Sequence, residues 1–216
     1  MIDVGRSVVP PASLQNETSW SGEDVKEQLW KDFLGKCYLT ELPVTVAAIS
    51  VDHFRPKGHA CFKHLTYDWE NLFPTDRNAN ERRPKKWPVG GLLDPSANDH
   101  VEERLQQYLD DENVPHFAAA DSNDLQAVNT AAQLEHLHND AHPKAADLRN
   151  AITKYFAKVL AKLLELRRAI SATSQDSAKI ARLEAEVRKL VSRRAPFTTL
   201  VRSRVQRIWP HDQYFD

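Results

Sequence analysis

The chain has 216 residues, of which 41% are hydrophobic and 27% are charged, and its formal net charge is -1. This composition favours a soluble domain, alone or with an appendage. The small net charge does not indicate a nucleic-acid binder, so any such surface has to be local. Two cysteines exclude a disulfide framework and a four-thiolate zinc site. Because no apolar run approaches the roughly 20 residues of a membrane span and no signal peptide is recognisable, we expect a cytoplasmic protein.

Short elements are predicted in the first part of the chain. A pair of prolines predicts an irregular segment over 1–17. Ser21 is a candidate N-cap for a helix that stops at Gly35. The β-branched residues of 43–51 predict a strand, one half of a hairpin. Two further short helices are expected, over 69–73 and 77–86.

Two helices are predicted in the middle of the chain. Val101, Leu105 and Leu109 stand at four-residue steps in the highly charged stretch 99–113, which is typical of an exposed helix. Residues 121–138 carry a loose apolar face with helical spacing.

The last third of the chain predicts a helical hairpin. Apolar residues recur three and four positions apart over 144–194, and a polar turn interrupts them at 171–177. The hairpin is either a surface for a partner or a helical pair packed on this protein's own domain, and its arginines could also serve DNA. We therefore expect four segments: an N-terminal arm and helix over 1–35, a central module over 36–95, a helical linker over 96–143, and the hairpin and tail over 144–216.

Candidate catalytic residues stand at the end of the predicted strand. Cutting a phosphodiester bond needs a nucleophilic water, a base of near-neutral pKa and a cation that stabilises the leaving oxygen. His53 suits the base because the free pKa of histidine is about 6.5. Asp52 and Asn80 offer the hard oxygen atoms that Mg²⁺ prefers. These residue types indicate a one-metal cut in nucleic acid.

The same residues resemble the motif of HNH endonucleases of the ββα-metal type. The match is Asp52-His53, then Asn71, then Asn80 nine residues later. The resemblance implies that Asp52 and Asn80 are ligands of a catalytic Mg²⁺ or Mn²⁺. It implies that His53 is the general base and that Asn71 fixes the loop that orients His53. The expected fold is α+β and mostly α-helical, with a small ββα-metal module between helical segments.

Four sequence segments limit the resemblance to one HNH subfamily. They are Lys36-Cys-Tyr-Leu-Thr-Glu41, Asp52-His-Phe-Arg-Pro-Lys57, Tyr67-Asp-Trp-Glu-Asn-Leu72 and Leu92-Leu-Asp-Pro95. Members of this subfamily accompany an ATPase in retron and Septu anti-phage systems. The resemblance therefore implies an endonuclease that cuts phage or other invading DNA, as the effector of a defence complex with an ATPase subunit. The chain has no G-x-x-x-x-G-K-[ST] loop of its own, so ATP would act on that subunit.

The sequence departs from this family at a structural zinc site. Many relatives carry two CxxC pairs, and the corresponding positions here are Cys37 and Thr40, then Asp76 and Ala79. Only one of the four positions is a thiol. We therefore expect no structural zinc, and a module that is held together by packing.

A basic cluster lies next to the motif. The candidates for phosphate contacts are Arg55, Lys57, Arg82, Arg83, Lys85 and Lys86. A solvated basic loop is the simpler interpretation, but the closeness of the cluster to the motif favours contact with DNA.

Other polar residues have weaker claims. Glu41 is expected to orient either a catalytic group or a turn, and Asp94 to cap the module. The histidines at 136, 138 and 142 match no firm zinc spacing and indicate a charged helix end.

Two other functions stay open at the level of the sequence. The missing zinc thiols favour a catalytically inactive adaptor with an HNH fold that binds the ATPase. An RNA-directed nuclease is the second alternative, because the sequence does not reveal whether a 2′-hydroxyl is recognised.

Overall fold

The computed structural model describes residues 1–209 and 215. The helices are α1 (Ala12–Gln15), α2 (Glu23–Asp32), α3 (Arg77–Arg82), α4 (Val101–Arg104), α5 (Leu125–Asn139), α6 (Pro143–Ile170), α7 (Ser177–Val191) and α8 (Thr198–Ile208). The strands are β1 (Ser50–His53), β2 (Leu72–Thr75), β3 (Leu105–Leu109) and β4 (Pro115–Ala119). The predicted α+β, mostly α-helical class is confirmed. None of the helices in this described part has both the length and the apolar character needed to cross a bilayer.

The first sheet is an antiparallel pair of β1 and β2, and α3 follows it directly. Ser50 pairs with Thr75, and His53 pairs with Leu72. Every residue of β2 is buried. Asp76 then begins α3, because its carboxylate accepts a hydrogen bond of 2.9 Å from the backbone N–H of Ala79. The end of β1 and one face of α3 are thereby brought together.

The second sheet, β3 with β4, corrects the helix predicted over 99–113. Only Val101–Arg104 is helical, and Leu105–Leu109 pairs with Pro115–Ala119. Leu105 and Leu109 are buried, and so is the polar Gln107 between them. Residues four apart share a face in a strand as well as in a helix, so the four-residue spacing did not distinguish the two. The pairing with β4 decides for the strand.

The C-terminal helices form the predicted hairpin. The hydroxyl of Tyr155 in α6 donates to the carbonyl of Leu190 in α7 at 2.8 Å, and Lys162 pairs with Glu186 at 2.7 Å. These contacts run antiparallel along the two helices. Their apolar seam joins one hydrophobic cluster with residues of α8 and with Leu109 of β3. The apolar seam of the hairpin is thus buried within this protein, and a partner on the outer faces of the two helices stays a prediction.

Two hydrophobic clusters support the fold. The first joins α2, the β1–β2 hairpin and α5, with the fully buried side chains of Leu29, Phe73 and Leu134 among its members. The second joins α6, α7 and α8. Phe117 of β4 packs against both clusters and connects them. The candidate site lies where the first cluster meets the end of β1.

Three local predictions need correction. The strand predicted over 43–51 begins only at Ser50, because Val46–Ala48 forms a 3-10 turn and β2 offers partners to Ser50–His53 alone. The segment 1–17 contains the short helix α1, which the preceding proline permits because Pro11 stands at its N-cap. The helix predicted over 69–73 is a 3-10 turn that runs into β2 at Leu72. The end of the predicted tail, 210–214 and 216, lies outside the described residues.

Candidate functional site

The candidate catalytic residues line one cavity. Asp52 and His53 come from the end of β1, and Asn80 comes from α3. All three line a cavity of about 580 Å³, together with Trp20, Lys57 and Lys85. The three residues that the sequence singled out for chemistry are therefore brought together in space.

The imidazole of His53 is held in one tautomer. Its Nε2 lies 3.0 Å from the carbonyl oxygen of Thr66, and a carbonyl can only accept, so Nε2 carries the hydrogen. The other ring nitrogen, Nδ1, is then the acceptor. Burial lowers the pKa of His53, the hydrogen bond to Thr66 opposes this shift, and the charge of Lys57 adds to it. The ring is therefore neutral near pH 7 and able to take a proton.

Asn71 fastens the loop that holds His53. Its side chain is fully buried, and its Oδ1 accepts from the backbone N–H of Arg55 at 2.8 Å. Its Nδ2 donates to the carbonyls of Arg55 at 3.1 Å and Leu65 at 3.2 Å. One amide thus joins the chain just after β1 to the residue that precedes Thr66. The orienting role that the resemblance implies for Asn71 stays a prediction.

Asp52 is buried and already has partners. Its Oδ2 accepts a hydrogen bond of 3.0 Å from the hydroxyl of Tyr38 and lies 2.9 Å from Nε of Arg83. The Arg83 contact is an ion pair by distance, although its N–H is not aligned with the oxygen for a hydrogen bond. Burial raises the pKa of Asp52, while Arg83 and Tyr38 lower it.

The donor atoms fit a hard divalent cation. The amide nitrogen of Asn80 donates to Oγ of Ser50 at 2.7 Å, which fixes the side chain against β1. The carboxylate of Asp52 and the side-chain carbonyl of Asn80 are oxygen donors of the kind that Mg²⁺ and Mn²⁺ take, with water at the remaining positions. Within residues 1–209 and 215, no three His, Cys, Asp or Glu side chains cluster as a metal site. An ion in this cavity would therefore depend on an Asp–Asn pair.

The four positions that the sequence compared with a structural zinc site, Cys37, Thr40, Asp76 and Ala79, lie together. The thiol of Cys37 is buried, and its pKa is raised to about 12 by burial first and by the charge of Asp76 second. Thr40 donates from its hydroxyl to the carboxylate of Asp76 at 3.1 Å. The same carboxylate accepts the hydrogen bond from the backbone N–H of Ala79 that caps α3. Hydrogen bonds thus connect the two loops at these positions.

The six basic candidates divide into two groups. Exposed side chains, suited to phosphate contacts, are those of Arg55, Lys57, Lys85 and Lys86. Arg83 is buried against Asp52 and is not a surface group, which corrects its expected place. Arg82 is likewise turned away: it donates to the carbonyl of Leu137 at 2.8 Å and to Asp140 at 2.9 Å, at the C-terminal end of α5.

The two supporting candidates lie outside the cavity. Glu41 is buried and pairs with the N-terminal amine at 2.8 Å, while its other contacts include the hydroxyl of Thr199 at 2.6 Å. Glu41 therefore connects the N-terminus with α8 and does not touch the candidate catalytic residues. Asp94 accepts from the backbone and the hydroxyl of Ser96, which in turn accepts from Arg6.

The three histidines near the end of α5 have separate partners. His136 lies 3.6 Å from the carboxylate of Asp140, and His142 caps α6 by accepting from the N–H of Lys144. His138 is fully buried against the carbonyl of Leu134. His136 and His142 lie at the expected charged helix end, whereas burial lowers the pKa of His138 to about 4, so His138 is a buried neutral group and departs from that expectation.

Trp20 is a cavity residue that no sequence pattern indicated. Its ring centre lies 4.9 Å from that of His53, and Nζ of Lys57 lies 3.9 Å above the tryptophan ring. Trp20 precedes α2 and is distant in sequence from β1, so only the tertiary fold brings it to the cavity.

Comparison of the chain with protein-family models, with curated proteins and with solved structures found no match.

Proposed function

We propose that this protein is a metal-dependent HNH endonuclease that hydrolyses phosphodiester bonds in DNA. The observation that carries the proposal is the orientation of His53. Its Nε2 is occupied by the carbonyl of Thr66, so Nδ1 is the basic atom, and the oxygen donors Asp52 and Asn80 line the same cavity. A neutral imidazole beside two hard oxygen donors suits the hydrolysis of a phosphodiester.

The proposed reaction begins with a water molecule. His53 takes a proton from the water at Nδ1, the water oxygen forms a bond to phosphorus, and the bond from phosphorus to the 3′ oxygen breaks. The leaving oxygen takes its proton from solvent. Asp52 and Asn80 would hold Mg²⁺ or Mn²⁺, which would supply positive charge to stabilise the negative charge that develops in the reaction. Asn71 acts on this step indirectly, because it fixes the loop that positions the imidazole.

The surroundings of the cavity support a nucleic-acid substrate. Lys57 and Lys85 line it, and Arg55 and Lys86 are exposed nearby in sequence. These side chains would neutralise phosphates without reading bases. The order of β1, β2 and α3, with Asp52 and His53 on the first strand and Asn80 on the helix, is the order expected of a ββα-metal module.

We further propose that the protein works in the cytoplasm as the nuclease of an anti-phage complex. This part rests on the resemblance to the HNH subfamily of retron and Septu systems, and it assigns an ATPase as the partner. It predicts that the neighbouring gene encodes such an ATPase.

A second candidate function is an inactive adaptor. The ion pair between Arg83 and Asp52 favours it, because the carboxylate is neutralised inside the protein. The combination of Asp52, Asn80 and an oriented His53 favours the nuclease, since a scaffold needs none of them.

Nicking of supercoiled plasmid DNA separates the candidates. The chain is assayed in Mg²⁺, in Mn²⁺ and in EDTA, with and without the neighbouring ATPase. The nuclease predicts nicking that needs the divalent ion, and the adaptor predicts none in any condition. A single-stranded RNA substrate, assayed in parallel, tests the RNA-directed alternative.

A further inference from the structure

Arg83 occupies an unusual place for an arginine next to a basic, exposed segment. It follows α3, and its side chain turns inward under the end of β1. The guanidinium donates to the carbonyl of His53 at 2.5 Å and to that of Phe54 at 3.4 Å. Its Nε lies 2.9 Å from Asp52, and the two side chains are only 3% and 5% exposed. One cation thus holds three consecutive residues at the end of β1.

This contact concerns the same carboxylate that the proposed function assigns to a divalent ion. Asp52 is one of two hard oxygen donors identified at the cavity, and its negative charge attracts the ion. A buried guanidinium at 2.9 Å cancels that charge. A second cation on Asp52 would stand close to the first, in surroundings that screen their repulsion weakly.

We propose that Arg83 is a built-in counter-cation that closes the cation site, and that a divalent ion binds once Arg83 has left Asp52. The inference rests on the proposed function and names the regulation of its site. The protein then has two states: in the first Arg83 is paired with Asp52, and in the second the divalent ion binds Asp52 instead. The apparent affinity for the ion is the intrinsic affinity multiplied by the fraction of molecules in which Arg83 has left Asp52.

Arg83 stands at the border between α3 and an exposed segment. It is the C-cap of α3, and the following residues Pro84, Lys85 and Lys86 are exposed. A phosphate of bound nucleic acid is an alternative partner for the guanidinium, because its oxygens match the same donor fork. Binding of nucleic acid and binding of the ion then assist each other. The site would be closed in the free protein and opened by its substrate.

Calorimetric titration with Mn²⁺ tests the inference without reference to cleavage. Arg83→Met removes the charge and keeps a long buried side chain, and Arg83→Lys keeps the charge. Arg82→Met is the matched control, because the neighbouring arginine binds the end of α5 instead. We expect Arg83→Met to bind Mn²⁺ at least tenfold more tightly than the wild type, and the other two variants to stay within about twofold of it. Equal affinities of wild type and Arg83→Met would overturn the inference.

Asp52→Asn distinguishes this failure from a failure of the proposed function. If Asp52→Asn abolishes Mn²⁺ binding while Arg83→Met changes nothing, the cation site stands and the inference falls. If no variant binds Mn²⁺ through Asp52, both fall. Should Arg83→Met not fold, NMR of the wild-type arginine Nε–H groups provides the test, with Arg83→Lys for assignment. Saturating Mg²⁺ is expected to shift the Arg83 signal, and an unchanged signal would refute the exchange.

Discussion

Replacement of Asn71 by alanine is expected to destabilise the protein and to release His53. The change removes three hydrogen bonds, one from the backbone of Arg55 and two to the carbonyls of Arg55 and Leu65. At about 1 kcal/mol for each bond, the free energy of unfolding falls by about 3 kcal/mol. For a chain of this size, the melting temperature falls by roughly 6–12 °C.

Urea unfolding, followed by circular dichroism, measures this loss. Asn78→Ala is the matched control, because Asn78 is an exposed residue of α3, and its effect should stay within about 0.5 kcal/mol. In the plasmid assay, Asn71→Ala should cleave at least about 100-fold more slowly at a temperature where it is folded, because its imidazole is no longer positioned. A destabilisation below about 0.5 kcal/mol, or cleavage at the wild-type rate, would refute the role assigned to this amide.

Two further predictions concern stability. Burial lowers the pKa of His138 from 6.5 to about 4, helped by the N-terminal amine and Arg82 and opposed by Glu41, so the unfolded chain takes up the proton first as the pH falls. The contribution of neutral His138 to the free energy of unfolding is complete above pH 6.5 and decreases towards pH 4, with a loss of about 2 kcal/mol at pH 5. Urea unfolding at pH 8 and pH 5 measures this loss, and the difference between the two pH values should be smaller in His138→Gln than in the wild type. Asp76→Ala removes the N-cap of α3 and the partner of Thr40, so it should cost about 1–2 kcal/mol in the same assay, whereas unchanged stability would deny that these contacts hold the two loops.

Long periodic patterns were the most predictable part of the fold. The hairpin of α6 and α7 follows from apolar residues three and four apart, because helices of this length repeat the signal many times. The strand β3 could not be predicted in this way, because it has only five residues and the spacing of Leu105 and Leu109 fits both a helix and a strand. The backbone pairing with β4 makes this segment a strand, and the apolar pattern within 99–113 alone does not reveal that pairing.

The candidate site shows the same division. Asp52, His53 and Asn80 were predicted from their chemistry and from the resemblance to the HNH motif, and the fold brings them to one cavity. The burial of the Arg83 side chain and the contact between Trp20 and His53 were not predicted from the sequence. In the sequence, Arg83 is one of several basic residues, and its burial depends on the carbonyls and the carboxylate that β1 presents to it.

Cleavage by His53→Ala protein tests the central claim most directly. The variant is compared with wild type on supercoiled plasmid DNA in Mg²⁺, under conditions in which the wild type cleaves, and thermal unfolding confirms that it is folded. His64→Ala, which alters an exposed imidazole of the neighbouring loop, serves as the control. We predict that His53→Ala loses at least about 100-fold in rate while His64→Ala cleaves like the wild type. Full cleavage by folded His53→Ala protein would contradict the account.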